Sequence, residues 1–359
     1  VSRILLIGSP KSRFVREDLN HLMGLFQVDF YQPSLFFLPK KDQSPLLFLK
    51  LFFKVMQSNV VLCWFANVDC FFACLFAKFL RKRFIVVVGG VDAAYQPEIG
   101  YGYFVKRSSR IVASLVYRFA DVIAPVDNSL ASNLKDYLPF NISDRVMVLP
   151  TGYDSQKWAP GSAPKKRLVL TVGAVTWTNY RRKGFQTFIE TARAMPNIRF
   201  VLVGKFIDSC ADTLRKQGLP SNLELTGFVS DEDLLHYYQQ ATVYCQLSKF
   251  EGLPNALCEA MLCECFPVGT RACGIPSAIG KTGFYVRYDC VSDCVRAIKI
   301  ALSLGRDYAA RQRIIGAFPK VWRQMGLVHI ITGSEPRPDF VELGAISHKE
   351  RRIAHELRH

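Results

Sequence analysis

The strongest constraint on what this chain can fold into is a rhythm. Short, β-branched apolar runs alternate with longer segments of helical periodicity: a strand at 4–8, a helix near 17–26, then strands at 28–31 and 59–64. Residues 71–80 read as a helix, with Arg81-Lys82-Arg83 where the helix dipole favours cations. Residues 84–88 follow as a wholly apolar strand, the mark of parallel strands buried on both faces. A helix at 108–120, a strand at 122–125, a helix at 128–136 and a strand at 146–149 complete the series. Strands that alternate with helices in this way must pair in parallel through crossovers, so the expected class is α/β.

The rhythm breaks at Pro150-Thr151-Gly152-Tyr153-Asp154, and residues 158–166 carry two prolines and no periodicity, which reads as a linker. It then restarts, with strands at 168–173, 198–204, 223–226 and 243–246 and helices at 185–194, 211–217, 231–240 and 254–262. A chain of 359 residues exceeds what one core usually holds. Two doubly wound, Rossmann-like domains facing each other across a hinge are therefore expected, one over 1–155 and one over 156–325. Residues 326–359, where regularity fades, read as a loosely attached tail.

Charge narrows the partners. The 46 Lys and Arg against 30 Asp and Glu leave +16, which attracts nucleotides, nucleic acid or anionic lipid. No nucleic-acid module accompanies the charge, so nucleic acid is set aside. The segment 46–55 mixes apolar bulk with Lys50 and Lys54, between Lys40-Lys41 and Arg81-Lys82-Arg83. It suits an anionic bilayer surface and equally suits a core helix with two snorkelling lysines. A second basic cluster, Lys106-Arg107-Ser108-Ser109-Arg110, suits a lipid headgroup or an anionic acceptor. Spanning a membrane needs about 18 unbroken apolar residues, and the best stretch, 60–80, is interrupted by Asn67, Asp69 and Lys78. The first apolar run is too short for a secretory signal, so a cytoplasmic protein is expected, with the inner membrane face as its place if the bilayer reading holds. The eleven cysteines are odd in number and scattered, as for buried reduced thiols. Cys263-x-Cys265 with Cys258 and Cys273 lacks paired spacing and a nearby histidine, so no metal site is expected.

The sharpest chemical signal is Ser248-Lys249-Phe250-Glu251-Gly252-Leu253-Pro254-Asn255-Ala256-Leu257-Cys258-Glu259, between a buried strand and a helix. Gly252 permits close backbone approach, and Pro254 suits the first helical turn, leaving free amides to face an anion. Glu259 then lies about one turn into the helix, where a carboxylate accepts two hydrogen bonds from a vicinal diol such as a ribose. Glu251, in the loop, reaches the hydroxyls of a sugar beyond it. Gly89-Gly90 lacks the third glycine of a dinucleotide fingerprint, which disfavours a dehydrogenase.

The segment resembles the glutamate–seven–glutamate motif of the retaining glycosyltransferases of family 4, which have the two-domain GT-B fold. Val172-Gly173 followed by Arg182-Lys183-Gly184-Phe185 is similar to that family's strand, loop and lysine–glycine segment. Leu225-Thr226-Gly227-Phe228-Val229-Ser230 resembles its base-binding turn, and Leu149-Pro150-Thr151-Gly152-Tyr153-Asp154 its domain junction. The resemblance covers residues 1 to about 325 and is strongest over 149–286. It implies that Glu259 holds the nucleotide ribose, Glu251 the transferred sugar, Lys183 the diphosphate, and the backbone near Val229 the base. Gly252, Leu253 and Asn255 supply amides to the donor, and Gly8, in the turn after the first strand, joins the donor-binding set. It also implies an activated nucleotide sugar as substrate and a hydroxyl acceptor, either a glycan or a lipid-linked saccharide. Neither a bound cofactor nor a metal is required, since a lysine and a helix dipole stabilise the departing diphosphate.

The departures are as specific. An arginine expected after the Val-Gly strand is Ala174, with Arg181 or Arg182 as the substitute from the loop. The glutamate of the Gly-x-Pro-Glu stretch is Ser277, and a histidine expected after the apolar strand is missing from Val88-Gly89-Gly90-Val91-Asp92. Asp92 is thus the candidate for a sugar or acceptor hydroxyl contact, or caps the turn. Such chains commonly end in a helix that crosses back to the first domain, and 309–325 is the nearest segment to it. Two rival readings stand beside sugar transfer: a nucleotide-sugar epimerase or hydrolase on the same fold, and a non-catalytic nucleotide-sugar-binding partner protein.

Overall fold

The computed structural model describes residues 2–33 and 44–334. The first sheet is built from β1 (Arg3–Ile7), β2 (Gln27–Tyr31), β3 (Val60–Trp64), β4 (Arg83–Val88) and β5 (Val122–Pro125), in the order β2-β1-β3-β4-β5, all parallel. Helices α1 (Arg13–Met23), α2 (Ser44–Gln57), α3 (Val68–Phe79), α4 (Arg107–Phe119) and α5 (Asn128–Tyr137) connect and cover it. Because β3 and β4 are covered on both faces, nearly every residue in them is buried.

The second sheet has the order β11-β10-β9-β6-β7-β8. Its strands are β6 (Lys166–Val172), β7 (Arg199–Val203), β8 (Leu223–Gly227), β9 (Ala241–Gln246), β10 (Phe266–Gly269) and β11 (Phe284–Tyr285). Between them run α6 (Trp177–Arg182), α7 (Phe185–Ala194), α8 (Cys210–Gln217), α9 (Asp231–Gln240), α10 (Asn255–Leu262) and α11 (Ile275–Ile279). The helices α12 (Val291–Leu304), α13 (Tyr308–Ala317) and α14 (Lys320–Thr332) end the described chain. From β6 the chain winds outward one way through β7 and β8, then returns to place β9 on the other side. The gap at the carboxyl ends of β6 and β9 is the topological switch point, where an open α/β sheet takes its ligand. The loops that leave these two strands carry Lys183 and Glu251.

Three elements differ from the sequence reading. Residues 146–149 run beside β5, with Met147 N donating to Ile123 O and Leu149 N to Pro125 O, but only a single bridge forms. Pro125 has no N–H to return, so the ladder stops. Helix α1 starts at Arg13 instead of near 17, because Arg13, Arg16 and Glu17 mask the apolar periodicity of its first turn. The third difference is α14, which is a full helix where the sequence suggested a fading tail, so a boundary at 325 falls inside it. Gly326 and five β-branched residues give it weak helical propensity. The glycine has a packing reason, since a Cβ there would lie 2.3 Å from Leu149 Cδ1.

α14 crosses back to the first domain. Arg323, buried within it, donates from Nε to Asp18 Oδ1 at 3.1 Å and from Nη2 to Asp18 Oδ2 at 2.7 Å, and from Nη1 to Leu149 O at 2.7 Å. Its guanidinium also lies over the Trp64 ring, and Arg83 donates to Ile330 O. The apolar core of the first domain runs on through Leu327, Ile330 and Ile331. Among the described residues no helix is long and apolar enough to cross a membrane.

Candidate functional site

The loop that leaves β9 turns sharply and is fastened by its own polar groups. Thr270 donates to Ser248 O, Arg182 Nη1 to Phe250 O at 3.0 Å, and Lys249 N to Arg182 O at 2.7 Å. These bonds set Glu251 in a nest of donors. Its Oε1 accepts from Lys183 Nζ at 2.8 Å, Ser248 Oγ at 2.9 Å and Gln246 Nε2 at 3.1 Å, and Arg182 lies 3.2 Å from Oε2. Burial alone would raise this carboxyl, but Lys183 and Arg182 outweigh it and hold the group down at about 2. Burial in turn lowers Lys183 from the ordinary lysine range, with Glu251 opposing.

The Lys183–Gly184 pair has a steric basis. Gly184 sits at φ +67, and a Cβ on it would come within 2.3 Å of Leu247 O, so only glycine lets this loop approach the β9 loop closely enough for Lys183 to reach Glu251. Across the cleft, Gly252 meets the first domain directly, since a Cβ there would lie 2.4 Å from Gly89 O. The Tyr101 ring packs on the Arg182 guanidinium at 4.7 Å, and Lys249 pairs with Glu98. Residues 89–101 of the first domain therefore cap the Glu251 cluster.

Glu259 lies beyond, on α10, and is 4% exposed. Arg13 Nη1 of the first domain meets its Oε1 at 2.5 Å, and the Tyr238 hydroxyl donates to Oε2 at 3.2 Å. Burial pushes this carboxyl up to about 7, against the pull of Arg13 and Tyr238. Arg13 also pairs with Asp231 and lies over the Trp158 ring at 5.0 Å. Glu259 forms part of the wall of an interdomain cavity of about 430 Å³ whose other walls include Lys11, Arg13, Trp158, Phe228 and Asn255. The exposed Phe228 stands at its rim, beside Val229. Asn255 opens α10, and its side-chain oxygen accepts from the hydroxyls of Thr151 and Tyr153, which ties the helix to the domain junction.

The sequence-derived residues thus fall into groups. Glu251, Lys183 and Arg182 form one charged cluster, and Arg182 supports the Glu251 loop from a buried position. Glu259 and Asn255 border the cavity, and Gly252 and the buried Leu253 lie on the loop between the two groups. Two expectations need correction. Asp92 faces inward and is fully buried, accepting from the backbone amides of Ala66, Gly89 and Gly90 and from the Tyr117 hydroxyl. Burial raises it to about 6, with those donors opposing. With its oxygens engaged, it shapes the Gly89-Gly90 turn and has no free face for a sugar. Gly8 is buried, its amide donates to Tyr31 O, and a Cβ on it would lie 2.8 Å from Val15 Cγ1, so it continues β1 and is not among the residues that line the cavity. The residue that sequence reading missed is Arg13, which lies 246 positions from its partner Glu259; its only local sign was Ser12 as a helix N-cap. All eleven cysteines are free, and among the described residues no group of His, Cys, Asp or Glu is placed to hold a metal ion.

Two facing parallel sheets, with a carboxylate-bearing loop and helix at the switch point of the second, define the GT-B class. Solved structures carry the likeness over almost the whole chain. HepE of Anabaena in complex with UDP-glucose superposes with a TM-score of 0.76 at 14% identity, covering 93% of this chain and 100% of that one. Sucrose-phosphate synthase of Thermosynechococcus elongatus gives 0.71 at 14% identity, over 92% and 98%. The lipopolysaccharide outer core galactosyltransferase WaaB, in its apo form, gives 0.63 at 14%, over 92% and 99%. At these identities the likeness establishes the fold. No curated protein sequence matches the chain. Residues 166–304, most of the second domain, match the sequence model of the glycosyl transferases group 1.

Proposed function

We propose that the protein transfers a sugar from a nucleotide-diphosphate donor, held by the second domain, to a hydroxyl of a glycan or lipid-linked saccharide presented by the first. The observation that carries this reading is the placement of two glutamates eight residues apart, Glu251 paired with Lys183 and Glu259 on the cavity wall. In this reading Glu259 accepts the ribose diol, and the turn at Val229 receives the base. Amides at the start of α10, with Gly252, Leu253 and Asn255, face the diphosphate. Glu251 orients the transferred sugar, and Lys183 neutralises charge as the diphosphate departs. A leaving group stabilised in this way takes the acceptor proton on the face it vacates, and the configuration is retained without a metal. Closure of the domains keeps water from the donor.

The site of action proposed is the cytoplasmic face of a membrane. Support comes from α2, whose outward face is as apolar as its inner one: Leu46, Leu49, Phe53 and Met56 are exposed at helical spacing, and Leu75 and Phe79 of α3 are exposed too. Lys50, Arg81 and Lys82 form no ion pair among the described residues, and cations beside an apolar face suit anionic lipid.

Thermal stabilisation by a panel of UDP-, GDP-, ADP- and dTDP-sugars tests the donor reading, because a ligand that binds only the folded state must stabilise it. A selective shift that is lost in Glu259→Ala supports it. If folded protein responds to none of the panel, the donor reading falls.

A further inference from the structure

The donor pocket is already occupied by a side chain of the opposite domain. Arg13 holds Glu259 Oε1 and Asp231 across the cleft, and its buried Nε has no hydrogen-bond partner. A ribose diol bound by Glu259, as proposed above, needs carboxylate oxygens that Arg13 and Tyr238 now hold. Tyr238 is a fully buried ring on α9 and cannot retreat, whereas Arg13 sits on a long side chain in the first turn of α1 and can.

Charge indicates where the freed guanidinium goes. Lys183, which serves the diphosphate in the reading above, shares its charge with Glu251, Arg182 is bound to Glu251, and position 174, next to the β6 end, is an alanine, so the second domain offers the diphosphate a single shared cation at this point. Among the other arginines on the cavity wall, Arg323 is held by Asp18 and Leu149, and Arg16 by the carbonyls of Pro10 and Lys11. Asp231 still holds one nitrogen of the displaced guanidinium, and a donor, which carries its diphosphate one methylene from the ribose, brings a new and stronger anion within reach of the other. Guanidinium binds phosphate in a bidentate fork, which makes the exchange favourable.

We propose that Arg13 is a donor-binding residue supplied by the first domain: it exchanges the Glu259 carboxylate for the donor diphosphate, and so keeps the two domains engaged when the pocket fills. A nucleoside without phosphates displaces the guanidinium and offers nothing in return. The ratio of nucleoside diphosphate to nucleoside affinity therefore reports this role, and a merely structural one leaves it unchanged.

The test rests on the donor reading and separates from it. Calorimetric titration of the full chain would use UDP against uridine, or the corresponding pair for the base that the donor panel selects, on wild type, Arg13→Ala and Arg13→Lys. The expected result is a loss of tenfold or more in diphosphate affinity in Arg13→Ala, with nucleoside affinity unchanged or higher, and partial recovery of the ratio in Arg13→Lys. A parallel fall or rise in both ligands, or an unchanged diphosphate affinity, overturns the proposal. If Arg13→Ala does not fold, Arg13→Lys decides: a ratio equal to wild type overturns it, and one reduced severalfold supports it. Wild type that binds neither ligand refutes the donor reading itself.

Discussion

Replacing Glu251 by glutamine keeps the shape of the side chain and removes its charge, which tests the cluster at the heart of the site. The Glu251 carboxyl is held at about 2 against an ordinary 4.5, a difference of about 2.5 units. At about 1.4 kcal/mol for each tenfold change in the proton affinity this corresponds to about 3 kcal/mol of stabilisation of the charged form. Removing one partner of a buried pair costs about 3–5 kcal/mol, because the other charge is left uncompensated. Here that charge is Lys183, with Arg182 beside it, so both routes give the same magnitude. The sign with pH follows from the depressed value: the stabilisation is present above about 4.5 and disappears as pH falls through 2. Urea unfolding of wild type and Glu251→Gln, followed by circular dichroism from pH 7 down to 2.5, measures it. The two proteins should differ by about 3 kcal/mol at pH 7 and converge in acid. A difference below about 1 kcal/mol at pH 7, or curves that stay parallel throughout, would refute the account of Glu251 as an ionised, buried anchor.

Glu259 should behave oppositely: its carboxyl is raised to about 7, so its contribution is complete below about 4.5 and is lost as pH rises through 7. In Glu259→Gln the decline of stability between pH 5 and 8 should flatten, as denaturant titration across that range would reveal; an unchanged slope would contradict the assignment. Arg323→Ala should cost about 3–5 kcal/mol, because Asp18 is left buried without its partner, and the double variant with Asp18→Asn should recover part of that loss in the same assay. Pelleting with vesicles should retain the full chain on phosphatidylglycerol-containing membranes and not on neutral ones, and Phe53→Glu with Phe79→Glu should abolish retention at unchanged melting temperature. Equal binding to both vesicle types, or no effect of the double variant, would count against the membrane face.

The alternation of strands and helices was legible because parallel strands buried on both faces, such as 84–88, are apolar throughout and cannot be mistaken for surface. The Glu251 loop and the Lys183–Gly184 turn each stood out, the first by Gly252 and Pro254 and the second by its resemblance to a lysine–glycine segment, but nothing in the sequence showed that the two side chains pair with each other. What failed was what depends on the whole molecule. Asp92 looks the same in sequence whether its carboxylate faces a cleft or folds back on its own turn, and only the amides of Ala66, Gly89 and Gly90 decide it. Arg13 reads as one more surface cation until the domains are placed face to face. The crossing helix was hidden because packing against Leu149 selects a glycine at 326, against helix propensity.

The return of α14 also determines what kind of motion the cleft can make. The chain passes between the domains twice, and the two passages lie side by side: Tyr153 N donates to Phe318 O, and Lys320 N to Tyr153 O. A single connecting strand acts as a swivel and allows the second domain to turn in any direction. Two strands laced together act as the pin of a door. Any swing of the second domain would then turn about that pin, carrying Glu259 away from Arg13 and back along one path.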